Sequence, residues 1–183
     1  MEARLDESDA QRAQAARVDP AAFSALYAGF HARVFRYLRL RAPSDEEAAD
    51  LTQQVFVQAL DALPRYDERG APFAAWLFRI ARNAAIDAQR KRRPTVDIGL
   101  LPDALLLSDE GNPEAEALRQ ERLERLRVLL GGLDQGQREL LALRFAGGLT
   151  AREIAVVVGR REGAVKRQLS RLIQQLREQY GER

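Results

Sequence analysis

Along most of the chain, apolar residues recur at intervals of three and four, and the alternation typical of β-strands is absent. Such spacing collects the apolar side chains on one face of an α-helix and leaves the polar ones on the other. The first of these stretches opens near Pro20, carries Phe23, Leu26 and Phe30, and is interrupted at Pro43. The pattern therefore predicts an all-α protein.

Two further helices are predicted before residue 94. Ser44 followed by Glu47 is a capping-box pattern, so a helix is expected to start there and to end before Pro64. The next helix is expected from about Phe73 to Lys91. Trp76 lies at the boundary of its two faces, and its polar face carries Arg79, Arg82, Asn83, Asp87 and Arg90.

Prolines and glycines interrupt residues 94–119 repeatedly, which predicts a linker. We expect the leucine-rich patch between Leu100 and Leu107 to dock partly on a neighbouring domain, since a free linker rarely carries one; the alternative is a dedicated contact with a partner protein. The chain is thus predicted to have an N-terminal extension over 1–19, a helical domain over 20–93, the linker, and a second helical domain over 120–183.

The second half of the chain contains a pattern typical of a helix-turn-helix over about residues 150–176. Thr150 and Glu153 form another capping box, and Gly159 follows where a tight turn can need positive φ. Ala155 is small enough for two helices to cross closely, and Val165 is placed to pack into the crossing. Helices are predicted near 114–130, 135–146, 151–158 and 161–180.

Composition narrows the possible functions. The chain has no cysteine and a single histidine, His31, which excludes disulfides, thiolate zinc sites and cysteine nucleophiles. It also lacks the glycine-rich loops that bind phosphates, so we expect neither an enzyme nor a metal or other cofactor. The polar N-terminus has no apolar core of a secretion signal and no apolar run could span a membrane, which predicts a cytoplasmic protein.

The net charge is only +2, but the charges are unevenly distributed. Residues 79–93 contain six basic residues and one acidic, and residues 151–171 contain six basic and two acidic. Between them, residues 94–121 contain seven acidic residues and one arginine. Two basic blocks separated by an acidic segment predict two modules that face nucleic acid. In the second block the predicted DNA contacts are Arg160, Arg161, Lys166, Arg167 and Arg171.

Three segments in this order resemble the bacterial RNA polymerase sigma factors of the sigma-70 family, specifically the extracytoplasmic-function (ECF) group. DLTQQVFVQAL (50–60) is similar to region 2.2, and FAAWLFRIARNAAIDAQRKRR (73–93) is similar to regions 2.3 and 2.4. LLALRFAGGLTAREIAVVVGRREGAVKRQLSRL (140–172) is similar to region 4. The resemblance covers about residues 20–93 and 120–180.

The resemblance implies a mechanism in which no covalent bond changes. The first domain would dock on the clamp helices of the polymerase β′ subunit and hold the −10 element of promoter DNA. The second would recognise the −35 element while its other face sits on the β flap, and the acidic linker would thread toward the active-site and RNA-exit path. An anti-sigma factor is the family's default regulator, although no motif here identifies one.

The resemblance also assigns residues. Aromatic side chains can stack on unpaired bases while arginines hold the backbone, and Tyr66 lies where the family has its base-capture pocket. The predicted −10 and melting contacts are Tyr66, Trp76, Arg79, Arg82, Asn83, Asp87, Arg90, Lys91, Arg92 and Arg93. The predicted contacts with core polymerase are Asp50, Gln53, Gln54 and Phe56.

The turn of the helix-turn-helix departs from the family pattern and keeps an alternative open. The family usually has an apolar residue at 160 and Ser or Thr at 161, but both are arginine here. Arg161 has no side-chain oxygen with which to cap the second helix of the motif. The pattern therefore predicts that this recognition helix loses about 1 kcal/mol of stabilisation at its N-terminus. The alternative is a regulatory protein that binds polymerase or an anti-sigma factor and whose helix-turn-helix does not recognise DNA. A recombinase would need an α/β catalytic domain, and a stand-alone repressor a dimerisation seam, and neither pattern is present.

Overall fold

The computed structural model describes residues 2–67, 69–91, 124 and 128–181. Every regular element in these ranges is helical, in agreement with the predicted fold class. The linker, its leucine-rich patch, Arg92 and Arg93 lie outside the described residues, as does most of the helix predicted over 114–130. The helices are α1 (Glu2–Val18), α2 (Phe23–Arg39), α3 (Asp45–Ala62), α4 (Phe73–Lys91), α5 (Gln135–Leu141), α6 (Ala151–Val158) and α7 (Glu162–Gly181).

Helices α2, α3 and α4 pack on one another to form the core of the first domain. Ser44 caps α3 as predicted, because its hydroxyl accepts a hydrogen bond from the Glu47 backbone N–H at 3.2 Å. The predicted break near Pro64 is also present, as a 3₁₀ turn over Leu63–Arg65. The core side chains include Leu26, Phe30, Val34, Leu38, Val55, Leu63, Leu77 and Phe78.

Helix α1 was not predicted, since residues 1–19 read only as a polar extension. It packs on α2, α4 and the 3₁₀ turn that follows α3. Its contact with this domain uses small side chains, Ala13 and Ala16, and Arg17 donates to the Pro64 carbonyl at 3.0 Å. Two alanines give too weak an apolar pattern to distinguish a packed helix from a solvated segment.

The second domain consists of α5, a π-helical turn over Ala142–Ala146, α6 and α7. The single helix predicted over 135–146 is therefore α-helical only to Leu141. Asp134 caps α5 with a complete capping box in which Gln137 is the partner. The core of this domain is formed by Leu140, Leu143, Leu149, Ile154, Val165, Leu169 and Leu172.

The two domains pack against each other through α4 and α6, and through α2 and the π-helical turn. At the centre of this contact, a Cβ built on Gly147 would lie 2.8 Å from a ring carbon of Phe78. Arg33 of α2 crosses the same contact and donates to the carbonyls of Gly147 and Gly148 at 2.8 and 3.2 Å. The sequence pattern gave no indication of this interface.

The buried surface of α4 differs from the predicted one because the second domain also packs on this helix. The pattern placed one apolar stripe on this helix, from Phe73 through Leu77 to Ala88. In the structure the buried surface is wider, because α3 covers one side of the helix and α6 covers another. The additional buried residues are Ala74, Ala75, Phe78, Ala81 and Ala85. None of the described helices combines the length and apolarity that a membrane span requires.

Candidate nucleic-acid interface

The helix-turn-helix is built from the local signals found in the sequence. The Thr150 hydroxyl accepts from the Glu153 N–H at 3.2 Å, and the Glu153 carboxylate accepts from the Thr150 N–H at 2.7 Å. This capping box fixes the start of α6. Gly159 ends α6 in the left-handed conformation, with φ 67° and ψ 37°, and so turns the chain into α7.

Replacing Gly159 with alanine is expected to lower the free energy of unfolding by about 1 kcal/mol, because a Cβ is disfavoured at this positive φ. Space is not the cause, since no atom lies within 4 Å of the Cβ position. Urea denaturation would measure the change. Gly163→Ala is the matched control: it lies inside α7, where alanine is expected to stabilise. Equal destabilisation by both variants would contradict this explanation.

Helix α7 presents a basic surface to solvent. Lys166, Arg167 and Arg171 are all exposed, and Lys166 also pairs with Glu162 one turn earlier at 3.5 Å. An exposed pair of this kind is weak and readily exchanged for another anion. The predicted −35 contacts in the helix are therefore free to reach a DNA backbone or base edge.

The two arginines at the turn have different surroundings. The Arg160 guanidinium donates to the side-chain oxygen of Gln168 at 2.7 Å, so it bridges the turn to the second helix. The Arg161 carbonyl accepts from the N–H groups of Ala164 and Val165 at 3.0 and 3.2 Å. Arg161 therefore starts α7 with its backbone, while both arginine side chains stay exposed.

In the first domain, the polar face of α4 carries most of the predicted −10 residues. Arg79, Asn83, Asp87, Arg90 and Lys91 are exposed on this helix. Asp87 lies 3.9 Å from Arg90 and reduces the net positive charge at that end. Arg82 is different, because it is partly covered and its Nε atom has no hydrogen-bond partner among the described residues.

The aromatic residues near the start of α4 form a cluster. The rings of Tyr66 and Trp76 lie 5.0 Å apart, and both approach Phe73. Tyr66 is only 5% exposed, and its hydroxyl donates to the Ala71 carbonyl at 2.9 Å. The prediction is corrected for Tyr66, whose ring is held in the core and cannot stack on a base in this arrangement. Trp76 is partly exposed at the edge of the cluster.

The residues predicted to contact core polymerase differ in their exposure to solvent. Asp50, Gln53 and Gln54 are exposed on α3. Phe56 is 4% exposed and packs on Tyr27, with ring centroids 4.7 Å apart, so the prediction of a direct contact through its ring is corrected. Val57, which is not among the predicted contacts, is 60% exposed one helical turn after Gln53. An apolar residue on an otherwise polar helical face was the signal that could have identified it.

The loop before α4 and the helix-turn-helix border one cleft of about 1000 Å³. The loop before α4 lines one side with Arg69, Gly70 and Pro72. The helix-turn-helix lines the other with Arg152 and Lys166, among other residues. Of the described residues, Arg79, Asn83 and Arg90 on the polar face of α4 do not line this cleft.

Comparisons with known proteins match two separate segments of the chain. The Sigma-70 region 2 family matches residues 26–95, and the Sigma-70, region 4 family matches residues 123–176. The chain is 37% identical over 152 residues to the ECF RNA polymerase sigma factor SigD of Mycobacterium tuberculosis. The aligned residues cover 80% of this chain and 71% of SigD. It is 38% identical over 164 residues to the ECF RNA polymerase sigma factor ShbA of Streptomyces griseus, with 80% and 83% covered.

A solved structure has a similar fold. CnrH in complex with the cytosolic domain of CnrY matches with a TM-score of 0.64 and 28% identity. The match covers 94% of this chain and 94% of that chain.

Proposed function

The chain belongs to the ECF group of bacterial sigma-70 factors, and from this membership we propose how its two domains divide the contacts with a promoter. As a sigma factor it binds core RNA polymerase and directs transcription initiation at promoter DNA. In the proposed division, α7 recognises the −35 element, and the polar face of α4 holds the −10 element. The protein acts in the cytoplasm by binding and orientation, without a catalytic step of its own.

The observation that carries the −35 assignment is the basic surface of α7 in a helix-turn-helix whose first helix, α6, starts with a complete capping box. Arginine can donate two hydrogen bonds to guanine in the major groove, and lysine can neutralise a phosphate. Arg167 and Lys166 are exposed side by side on this helix. Arg160 and Arg161, at its N-terminal end, are placed to contact the flanking phosphates.

The −10 assignment rests on the exposed row along α4. Strand opening requires a surface that prefers unpaired bases, which stacking and backbone charges provide. Trp76 supplies the partly exposed ring at one end of this helix, and Arg79 and Arg90 supply charge along it. Asn83 adds an amide that can hydrogen-bond a base edge.

For polymerase docking we propose the exposed side of α3. Asp50, Gln53 and Gln54 would meet the β′ clamp helices, and Val57 adds apolar area beside them. The second domain would sit on the β flap with the face opposite α7. Since CnrH is seen with the cytosolic domain of CnrY, we also propose a protein regulator of the anti-sigma kind for this chain.

In vitro transcription with purified core polymerase tests the proposal. Adding the chain to core enzyme and sheared genomic DNA is expected to give transcripts whose start sites share a −35 and a −10 element. Sequencing the transcripts would identify both elements in one experiment. If holoenzyme forms but does not bind or open any promoter, the alternative is favoured, in which the protein binds polymerase without recognising DNA.

Two substitutions on α7 are expected to act differently. Arg167→Ala should weaken binding of holoenzyme to its promoter by about 1–3 kcal/mol and relax the preference for one base pair. Lys166→Ala should weaken binding to all sequences and lower the salt dependence by about one counterion. Electrophoretic mobility shifts over a series of KCl concentrations would measure both effects. Arg12→Ala, which removes an exposed arginine of α1, is the control.

A further inference from the structure

A cavity of about 740 Å³ lies between the two domains. The C-terminal halves of α2 and α4 form one wall, and α5 with the π-helical turn forms the other. This volume is within the range of about 300–1,000 Å³ that is usual for ligand sites, so the cavity can enclose several apolar side chains. Partly buried apolar residues of both domains line it: Phe35, Leu40, Ile86, Leu130, Val158 and Leu176.

The cavity also carries positive charge that the described residues do not neutralise. Arg36 of α2 and Arg138 of α5 line it, and neither forms an ion pair with a described residue. The Nε atom of Arg82 lies 3.6 Å from Glu139, too far for a hydrogen bond, and has no acceptor among those residues. A buried donor without an acceptor costs free energy. A matching occupant is therefore apolar and brings carboxylates or carbonyl oxygens.

The linker has this chemistry. Residues 94–118 contain six acidic residues and no basic ones. Asp103 divides the leucines of this stretch into two groups, and Asp109 and Glu110 follow the second group. Apolar side chains in such number are stabilised by a surface that removes them from water. The leucines of the stretch are Leu100, Leu101, Leu105, Leu106 and Leu107.

Both ends of the linker are attached beside this cavity. Gln89 lines it and lies two residues before α4 ends at Lys91, and Leu130 lines it near the start of the described range 128–181. Nine residues separate Lys91 from Leu100, and an extended chain of that length spans up to about 30 Å. A segment tethered in this way has an effective concentration on the order of millimolar. This favours the linker as occupant over a second copy or a separate protein.

We propose that segment 99–110 of the linker binds in the interdomain cavity as an intramolecular ligand. Its leucines pack on the wall formed by Phe35, Leu40 and Ile86, and its acidic side chains face Arg36 and Arg138. Of the two alternatives for the leucine-rich patch, docking within the chain is thus preferred to contact with a partner protein. The bound segment joins the domains at a place separate from the Arg33 contact. The inference does not rest on the DNA contacts proposed above.

An environment-sensitive dye tests the apolar part of this site. The chain has no cysteine, so Ala104→Cys gives a single position for acrylodan within the segment. Docking predicts emission at a shorter wavelength than in the urea-unfolded chain, and Ile86→Ser should shift it to longer wavelength. Ile173→Ser is the matched control, because Ile173 is also partly exposed but lines the other cleft. It should leave the emission unchanged.

The same dye tests the charge of the site. Arg138→Glu places a carboxylate opposite the acidic segment, so the emission should shift to longer wavelength. Arg177→Glu makes the same change of charge at an exposed position of α7 outside the cavity lining, and it should have no effect.

Disulfide formation tests where the segment lies. Ala104→Cys combined with Gln135→Cys places thiols on the segment and on the cavity wall, and mild oxidation should join them within one chain. Gln175→Cys is the matched control, since Gln175 is exposed on α7 outside the cavity lining. Its disulfide with position 104 should form about tenfold more slowly, because docking raises the effective concentration only at the cavity. Non-reducing electrophoresis would follow both rates.

Three results would overturn the proposal. The first is an emission that equals that of the urea-unfolded chain or that responds equally to Ile86→Ser and Ile173→Ser. The second is equal disulfide rates at positions 135 and 175. The third is disulfide-linked dimers or an emission shift that grows with protein concentration, which would identify a second copy as the occupant. Circular dichroism checks that Ile86→Ser is folded; if it is not, Arg138→Glu and the disulfide rates decide.

Discussion

Phe78→Ala is expected to lower the free energy of unfolding by about 3–5 kcal/mol, the usual cost of truncating a buried phenylalanine. The ring is fully buried, packs edge-on against Tyr37, and contacts Gly147 of the second domain. Its removal leaves a cavity where both domains meet, so neither core can close it by a local shift. Urea denaturation followed by circular dichroism would measure the loss.

Phe145→Ala is the matched control, since Phe145 belongs to the same contact region but is 65% exposed. We expect it to change stability by less than about 0.5 kcal/mol. A loss of similar size in both variants would show that the structure assigns Phe78 the wrong environment. Loss of cooperativity in the Phe78 variant alone would show that the domains unfold separately once this contact is removed.

Val165→Asp is expected to abolish recognition of the −35 element. Val165 is fully buried where α7 crosses α6, and an unpaired carboxylate there costs about 3–5 kcal/mol. That cost is enough to unfold most of a small helical domain. Holoenzyme carrying this variant should lose promoter binding in a mobility-shift assay, and hydrogen exchange should show lost protection in α6 and α7.

The control for this variant is Val128→Asp, at a position that is 68% exposed. It adds the same charge to the same domain without burying it, so promoter binding should change by less than a factor of about two. If Val165→Asp holoenzyme still protects the −35 element, α7 is not its recognition helix. Protection of α2, α3 and α4 in the variant would show that the first domain folds without the second.

The sequence allowed the helix-turn-helix to be predicted closely because its signals are local. Thr150 with Glu153 determines where α6 begins, and Gly159 determines where it ends. Each acts within four residues, so no knowledge of the rest of the fold is needed. The same holds for Ser44 at the start of α3.

The contact between the domains could not be predicted, because the residues that meet in it are far apart in the chain. Arg33 is 114 residues from Gly147, and Tyr37 is 102 residues from Glu139. Nothing in the local pattern shows that a second surface will cover α4. Phe78 and the extra alanines of that helix therefore read as part of an ordinary amphipathic face.

Predictions of aromatic side chains were the least secure part of the candidate site. Tyr66 and Phe56 occupy positions that the sigma family assigns to contacts, yet both rings pack inside the first domain. A large ring gains more from burial than from exposure unless a ligand is present. Position along a motif thus predicts which segment carries a contact, whereas the exposure of each side chain had to come from the fold.

Arg33 holds the second domain through backbone atoms, and this affects which substitutions the protein can accept during evolution. The guanidinium binds the carbonyls of Gly147 and Gly148, which every amino acid would present. Most side chains of the second domain can therefore change without removing these two hydrogen bonds. Positions 147 and 148 are exceptions: a methyl group at 147 would lie 2.8 Å from Phe78 and from the Leu143 carbonyl, and Gly148 has a positive φ of 65° that favours glycine. A single mutation to alanine at position 147 offers a short evolutionary route to a factor whose two domains are joined less tightly.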